Sequence, residues 1–259
     1  MSLASNSPLL SIVTVVYNNR KCIEDAIQSV KSQKYSNIEH IVIDGNSNDG
    51  TKVYLQSLGD TIKLVSEPDK GIFDAMNKGL KLCTGTYIGL LNSDDVYASN
   101  MVLSDVVATF EANHVDAVYG DLVYVDPIHT EKINRYWKSG NYDVRKFKWG
   151  WMPPHPTFFL RKSCYDQHGY FDLSLSKVSA DYEIMLRMLY KYKHKAAYLP
   201  QILVRMRSGG NSNSSLLKRF KGNMEDRMAW KNNQLTPNPL TLTLKPLRKI
   251  GQFFLRPHS

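Results

Sequence analysis

Apolar positions along the chain fall into short runs separated by polar turns. Ser11-Ile12-Val13-Thr14-Val15-Val16 is rich in β-branched residues and stops at Tyr17-Asn18-Asn19, after which Ile23, Ala26, Ile27 and Val30 recur at helical spacing. That change of period marks a strand, a loop and a helix. The unit repeats. A second strand over 38–44 ends in Asp44-Gly45-Asn46-Ser47-Asn48-Asp49-Gly50-Thr51 and leads to a helix through Val53 to Leu58. A third, over 62–66, ends in Glu67-Pro68-Asp69-Lys70-Gly71 and leads to a helix carrying Ile72, Ala75, Met76 and Leu80. The fourth run, Tyr87-Ile88-Gly89-Leu90-Leu91, halts at Asn92-Ser93-Asp94-Asp95. Repeated βα units predict an α/β fold, a doubly wound and mostly parallel sheet flanked by helices, whose loops at the strand C-termini gather on one rim. Tyr17, Asp44, Asp69 and Asp94 are expected there.

Beyond residue 115 the pattern loosens. Residues 115–125 predict a strand, and 136–152, rich in Trp, Lys and Tyr, predict added substrate-facing structure. Residues 155–160 predict a short strand, 182–190 an amphipathic helix and 196–205 another strand. Pro237, Pro239 and Pro246 break the last part into a linker and a final segment of mixed basic and apolar residues over 245–256, a composition suited to a lipid interface.

Composition narrows the class. With 259 residues and 42% apolar content the chain can bury one sizeable α/β core with a smaller appendage. No apolar stretch approaches the roughly 20 residues of a membrane span, and residues 1–8 lack the features of a signal peptide, which together predict a cytoplasmic protein. Cys22, Cys83 and Cys164 are widely spaced without a Cys-x-x-Cys pair, so they predict packing rather than a disulfide framework or zinc site. The net charge of +9 is uneven: from Lys218 onward nine Lys/Arg stand against Glu225 and Asp226, which is +7, leaving +2 for residues 1–217. Basic residues confined to one end, without interleaved stacking aromatics, argue against a nucleic-acid binder and for contact with an anionic membrane surface.

The chemistry concentrates at Asp94 and Asp95. Adjacent carboxylates at a strand end, with no basic neighbour in sequence, repel each other unless a cation sits between them. Hard cations such as Mg²⁺ or Mn²⁺ take one or two carboxylates together with substrate phosphates. A metal and diphosphate site is therefore expected, although Ser-Asp-Asp after a strand also suits a turn and helix cap.

Four features stand in order: Val15-Val16-Tyr17-Asn18; Asp44-Gly45-x-Ser47-x-Asp49-Gly50-Thr51; Glu67-Pro68-Asp69-x-Gly71-Ile72-x-Asp74-Ala75-x-Asn77-x-Gly79; and Asn92-Ser93-Asp94-Asp95. Jointly they resemble glycosyltransferase family 2, the inverting enzymes of GT-A fold, especially bacterial members that build surface polysaccharide. The resemblance covers roughly residues 9–212. It implies a GT-A domain with a nucleotide-binding half over about 9–98 and an acceptor-side half over about 99–212, a flexible N-terminus over 1–8 and a basic extension over 213–259. It also implies that Tyr17 and Asn18 frame a uracil base, that Asp44 accepts its imide proton, and that Asp69 and Lys78 lie near the base and the sugar phosphates. Asp94 would contact the donor and Asp95 would hold Mn²⁺ or Mg²⁺. The family's acidic motif commonly begins with Asp where this chain has Asn92. In Ser179-Ala180-Asp181-Tyr182-Glu183-Ile184-Met185-Leu186-Arg187, which is similar to the family's Glu-Asp-x-x-x-x-x-Arg helix start, Asp181 takes the position of the general base. His155 falls near the acceptor and donor phosphates, and Arg205 and Arg207, before Ser208-Gly209-Gly210-Asn211-Ser212, resemble a flexible loop that closes over the diphosphate. The implied activity is transfer of a sugar from a nucleotide sugar, UDP-linked, to a saccharide or lipid-diphosphate-linked saccharide at the inner face of the cell membrane. Two other activities share parts of this pattern. A sugar-nucleotide pyrophosphorylase would show a Gly-rich loop after its first strand, and Val16-Tyr17-Asn18-Asn19 has no glycine. A non-catalytic nucleotide-sugar binding protein would have no need of Asp181.

Overall fold

The structure, a computed structural model, describes residues 7–175, 179–209, 216–248 and 250–256. Its centre is three parallel pairings among β1 (Leu10–Val16), β2 (Ile38–Asp44), β3 (Lys63–Ser66) and β4 (Tyr87–Asn92), with Val16 opposite Asp44, Val15 opposite Asn92 and Asp44 opposite Ser66. This register aligns the four C-terminal ends, as the βα pattern requires. Helices α1 (Arg20–Lys31), α2 (Thr51–Ser57) and α3 (Ile72–Leu82) make the crossovers.

The acidic run does not end as a free loop. Asp95 opens β5 (Asp95–Tyr97), and α4 (Val102–Asn113) leads on to β6 (Ala117–Val125), which pairs with β7 (Ile133–Trp137). After β8 (Phe159–Arg161), helices α5 (Lys162–His168) and α6 (Ala180–Met185) precede β9 (Ala196–Arg207). Strand order is β3-β2-β1-β4-β8-β6-β9-β5, with β7 on β6. The β6–β9 pair is parallel, whereas β4–β8, β6–β8, β6–β7 and β5–β9 are antiparallel. A parallel half is thus joined to a mostly antiparallel second half.

Three expectations change in detail. Residues 155–157 form a 3₁₀ turn rather than strand, because Pro154 and Pro156 fix φ and Thr157 N–H closes on Pro154 O. The helix expected over 182–190 is α6 followed by a π-helical stretch at Leu186–Lys191. The strand expected over 196–205 is β9 and runs on to Arg207, so Arg205 and Arg207, in register with Val96 and Val125, stand in the strand and not in the flexible loop they resemble. Residues 210–212 of the Gly-rich segment, like residues 1–6 of the N-terminus, lie outside the described residues.

Strand alternation builds a core on both sheet faces. Val13 and Val15 pack with Ala75, Met76 and Leu80 of α3, while Leu10 and Ile12 pack with Ala26 and Val30 of α1 and with Val106 and Phe110 of α4. Each such side chain contributes about 1.5–3 kcal/mol when fully buried. The C-terminal extension joins the first of these faces. In α7 (Leu216–Asn232), Trp230 is buried and donates from Nε1 to the Tyr182 hydroxyl (2.9 Å), and Asn233 donates to Glu183 (2.9 Å). Lys245 of α8 (Thr241–Leu247) meets the buried Asp226 at 2.7 Å.

The tightest crossing is α3 on β1. A Cβ on Gly79 would stand 2.3 Å from Val13 Cγ1 and 3.3 Å from Ile43 Cγ1. Gly79→Ala is therefore expected to destabilise the protein by about 1–3 kcal/mol through overpacking, read as a lowered urea midpoint with unchanged slope. A midpoint equal to wild type would show that this contact is slack.

Candidate active site

The donor-side rim is fixed by hydrogen bonds between loops. Asn18 takes a left-handed φ of 49°, which its short amide side chain tolerates. Its N–H donates to Ser47 Oγ (2.8 Å), and its Oδ1 accepts from Asn48 N–H (2.9 Å), stapling the first loop to the second. Asp44 is fully buried and accepts from Ser47 N–H (3.1 and 3.2 Å) and Ser66 Oγ (2.6 Å). It does the work of a turn-forming Asp while Oδ1 retains acceptor capacity. Tyr17 stays 63% exposed. Its ring and the Asp69 carboxylate converge over Gly45: a Cβ there would lie 2.5 Å from Asp69 Oδ2 and 3.2 Å from Tyr17 Cδ2. Asp69 is fixed in turn by Gly71 N–H (2.7 Å). An aromatic face, two carboxylates and a bare backbone make a niche for a flat polar ring.

Next to it lie the paired acids. Asp95 is fully buried, and one oxygen accepts from Asn92 Nδ2 (3.0 Å). Its Oδ1, together with Asn92 Oδ1 and Arg207 Nε, is buried without a hydrogen-bond partner. Burial first, and the Asp94 charge second, hold the Asp95 carboxyl well above its ordinary value of 3.8; burial also raises Asp94, opposed by Arg207. Arg207 reaches in from β9, donating to Asp94 O (3.0 Å) and pairing with Asp25 of α1. Two oxygen acceptors left unsatisfied in a dry site are costly alone and are the donor type a hard divalent cation takes. The residues present therefore fit Mg²⁺ or Mn²⁺, with Asp95 Oδ1 and Asn92 Oδ1 as the protein's oxygens.

Asp181 sits in the first turn of α6, its Oδ1 accepting from Tyr182 N–H (2.7 Å). The neighbouring acid is committed elsewhere, because Glu183 pairs with Arg187 at 2.9 Å and accepts from Asn233. His155 packs edge-on against Phe171 at 5.7 Å; burial lowers its pKa and the Asp181 charge opposes this. Met206 of β9 stands opposite both Tyr124 of β6 and Asp95 of β5, so Tyr124 lies two strands from Asp95 at the same register. Burial raises the Tyr124 phenol, and Arg135 opposes this.

Two predicted residues are engaged elsewhere. Lys78 is ion-paired with Glu67 (2.7 Å) and donates to Pro68 O (2.7 Å), which secures the loop carrying Asp69. Arg205 turns to Thr130 O (3.3 Å) in the β6–β7 connection. Sequence reading missed Asp25, Tyr124 and Arg135. Asp25 lies on the polar face of α1, and Tyr124 in a run read only as strand, so only tertiary placement reveals them. A further group, Asp116, Cys164 and His194, gathers its ligand atoms within 4.8 Å at the opposite sheet edge, where β6 begins. It is remote from Asp95.

Comparison with known proteins gives a consistent picture. The sequence model for Glycosyl transferase family 2 matches residues 11–184. A PGL/p-HBAD biosynthesis glycosyltransferase of Mycobacterium tuberculosis is 26% identical over 222 residues, 83% of each chain. An uncharacterized glycosyltransferase of the same species is 30% identical over 186 residues, 71% of this chain and 70% of that one. Among solved structures, S. aureus TarS in complex with UDP-GlcNAc superposes with a TM-score of 0.69 at 17% identity, covering 95% of this chain and 71% of that one. A mannosyltransferase from Pyrobaculum calidifontis in complex with GDP-Man and Mn²⁺ gives 0.64 at 16%, covering 92% and 69%.

The buried acid sets a stability expectation. A carboxyl raised on folding costs stability as pH climbs from its ordinary value of 3.8 through its folded value. Asp95→Asn should therefore raise the Tm at pH 7 in EDTA, and Mn²⁺ should stabilise the wild type while leaving the variant unmoved. An equal Mn²⁺ shift in both would remove Asp95 from the site.

Proposed function

Since the chain belongs to glycosyltransferase family 2, is a glycosyltransferase and has the GT-A fold, we propose that it is a metal-dependent, inverting enzyme using a UDP-sugar. Its acceptor is a saccharide or lipid-diphosphate-linked saccharide in surface polysaccharide assembly, at the cytoplasmic face of the membrane. The observation that carries this reading is buried Asp95, held by Asn92 and flanked by Arg207 with one carboxylate oxygen unpartnered, on the rim that also carries the niche of Tyr17, Gly45 and Asp69.

In this reading Tyr17 and Asn18 hold the base, with Asp44 accepting an imide N–H and Asp69 closing the niche. Asp94 contacts the donor's ribose or sugar. Asp181 accepts the proton of the acceptor hydroxyl as that oxygen attacks the anomeric carbon from the face opposite the diphosphate, the role of a positioned general base. His155, whose protonated form burial disfavours, lines the acceptor path. Arg207 offers a fixed guanidinium to the diphosphate, and its planar fork suits such an anion. A divalent cation at Asp95 supplies Lewis-acid stabilisation of the diphosphate leaving group. The enzyme of M. bovis and M. tuberculosis named for PGL/p-HBAD biosynthesis supports an envelope-directed role, and the UDP-GlcNAc and GDP-Man complexes support a nucleotide-sugar donor. No helix among the described residues is long and apolar enough to cross a membrane, so membrane contact in this proposal is peripheral, through the basic C-terminal extension.

Incubation with Mn²⁺ and a panel of UDP-, GDP- and dTDP-sugars tests the reading by thermal shift and nucleoside-diphosphate release. One UDP-sugar is expected to stabilise the protein only with metal. Asp181→Asn should lower turnover about 10²–10⁴-fold, the usual contribution of a general base, while leaving the thermal shift intact. Loss of binding in that variant would make Asp181 a donor ligand instead, and failure of every sugar would sink the donor assignment.

A further inference from the structure

A cavity of ≈ 170 Å³ lies between the end of β7, residues 150–152 and the C-terminal extension. Trp137, Lys138, Trp151, Arg248, Gln252 and Leu255 are among the residues that line it. Lys245 also reaches the cavity but is neutralised by Asp226 at 2.7 Å. No carboxylate is in the lining, and Lys138 makes no ion pair among the described residues. Arg248 donates to a neutral group, Trp149 O (3.4 Å), and makes no ion pair among the described residues. Among the described residues the cavity therefore presents two cations without counter-charges.

One chain of contacts connects it to the acids. Gln252 in its wall accepts from Arg135 Nε (2.7 Å), the Arg135 guanidinium stacks over Tyr124 at 4.4 Å, and Tyr124 shares Met206 as strand partner with Asp95. Its outer side is apolar. Leu255 belongs to both the cavity and an exposed stretch in which Phe253 and Phe254 are 57% and 81% accessible, with Leu247 nearby at 55%. Large apolar side chains grouped in this way mark an interaction surface. From Asp95 the contacts run through Met206, Tyr124, Arg135 and Gln252 to the cavity, and Leu255 of its lining continues into the apolar strip.

Resting on the transferase reading above, we propose that this cavity binds the diphosphate of a lipid-linked saccharide acceptor, with the hydrocarbon chain along Leu247, Phe253, Phe254 and Leu255. The saccharide then extends past Tyr124 and His155 towards Asp181. The order anion, then hydrocarbon, matches the order of the lining, whereas a purely saccharide acceptor would leave Lys138 and Arg248 without a role.

The test uses the full chain and calorimetric titration of farnesyl diphosphate in EDTA, where a metal-dependent donor site is silent. Inorganic pyrophosphate and phosphatidylglycerol vesicles are titrated in parallel. Lys138→Glu with Arg248→Glu, both on exposed side chains, keeps the fold. Farnesyl diphosphate is expected to bind at least about tenfold tighter than pyrophosphate, and the double variant to weaken it by about 10²-fold, the loss of two charge-assisted contacts. Absent binding, binding indifferent to the reversals, or equal binding of pyrophosphate overturns the proposal. Binding to vesicles without preference for farnesyl diphosphate also overturns it, leaving a general membrane contact. UDP titrated separately with Mn²⁺ reads the donor site: its failure removes the UDP-donor reading without touching the cavity result, and the double variant should bind UDP as the wild type does.

Discussion

The burial of one carboxylate organises this molecule. Asp95 lies in a dry position beside a second acid, and in that setting an ionised group is strongly unfavourable unless other charges or dipoles face it. Asn92 supplies an amide from the strand before, and Arg207 a guanidinium from β9. Asp25 on α1 in turn pairs with Arg207. Three distant segments are thereby held around a point that remains incompletely satisfied. The deficit falls on oxygen acceptors, Asp95 Oδ1 and Asn92 Oδ1.

The two halves of the sheet divide the labour physically. Parallel strands gather their loops at one edge, and there the Asn18–Ser47, Asn18–Asn48 and Asp44–Ser66 bonds turn three separate loops into one rigid rim. The antiparallel half contributes its groups from strand interiors and helix starts, as with Tyr124 and Asp181. Asn77 of α3 exchanges two hydrogen bonds with the backbone of Phe171, each 2.9 Å, and so couples the halves across the cleft. Preorganisation of this kind is what positions reacting groups.

The donor half was legible because its signals are local. A β-branched run, a turn with Asn or Asp and a helical period are each set within a dozen residues, and parallel register then places Tyr17, Asp44 and Asp69 without further information. The prolines around His155 were visible as well, yet their effect was read as extension when two of them so close favour a 3₁₀ turn. Arg205 and Arg207 show the limit. Neighbouring Gly and Ser suggest a loop, but pairing with β5 and β6 decides their state, and those partners lie far away in sequence. The charge count of the C-terminal extension is silent on its packing, which Trp230, Asn233 and Lys245 provide around Tyr182 and Glu183.

Strand β5 has a consequence for how the protein is made. Among the described strands its only partner is β9, and the Asp94–Arg207 contact spans 113 residues. Contacts so distant in sequence form late, because a long stretch of chain must be ordered before they can close. On the ribosome, the donor rim has its own parallel strands and can assemble while synthesis continues, since domains begin to fold as they emerge. The acid pair has Asn92 beside it from the start, but its balancing arginine comes from β9. Burial of the pair therefore waits on β9, so a growing chain is spared the cost of a dry acidic site until that arginine is at hand.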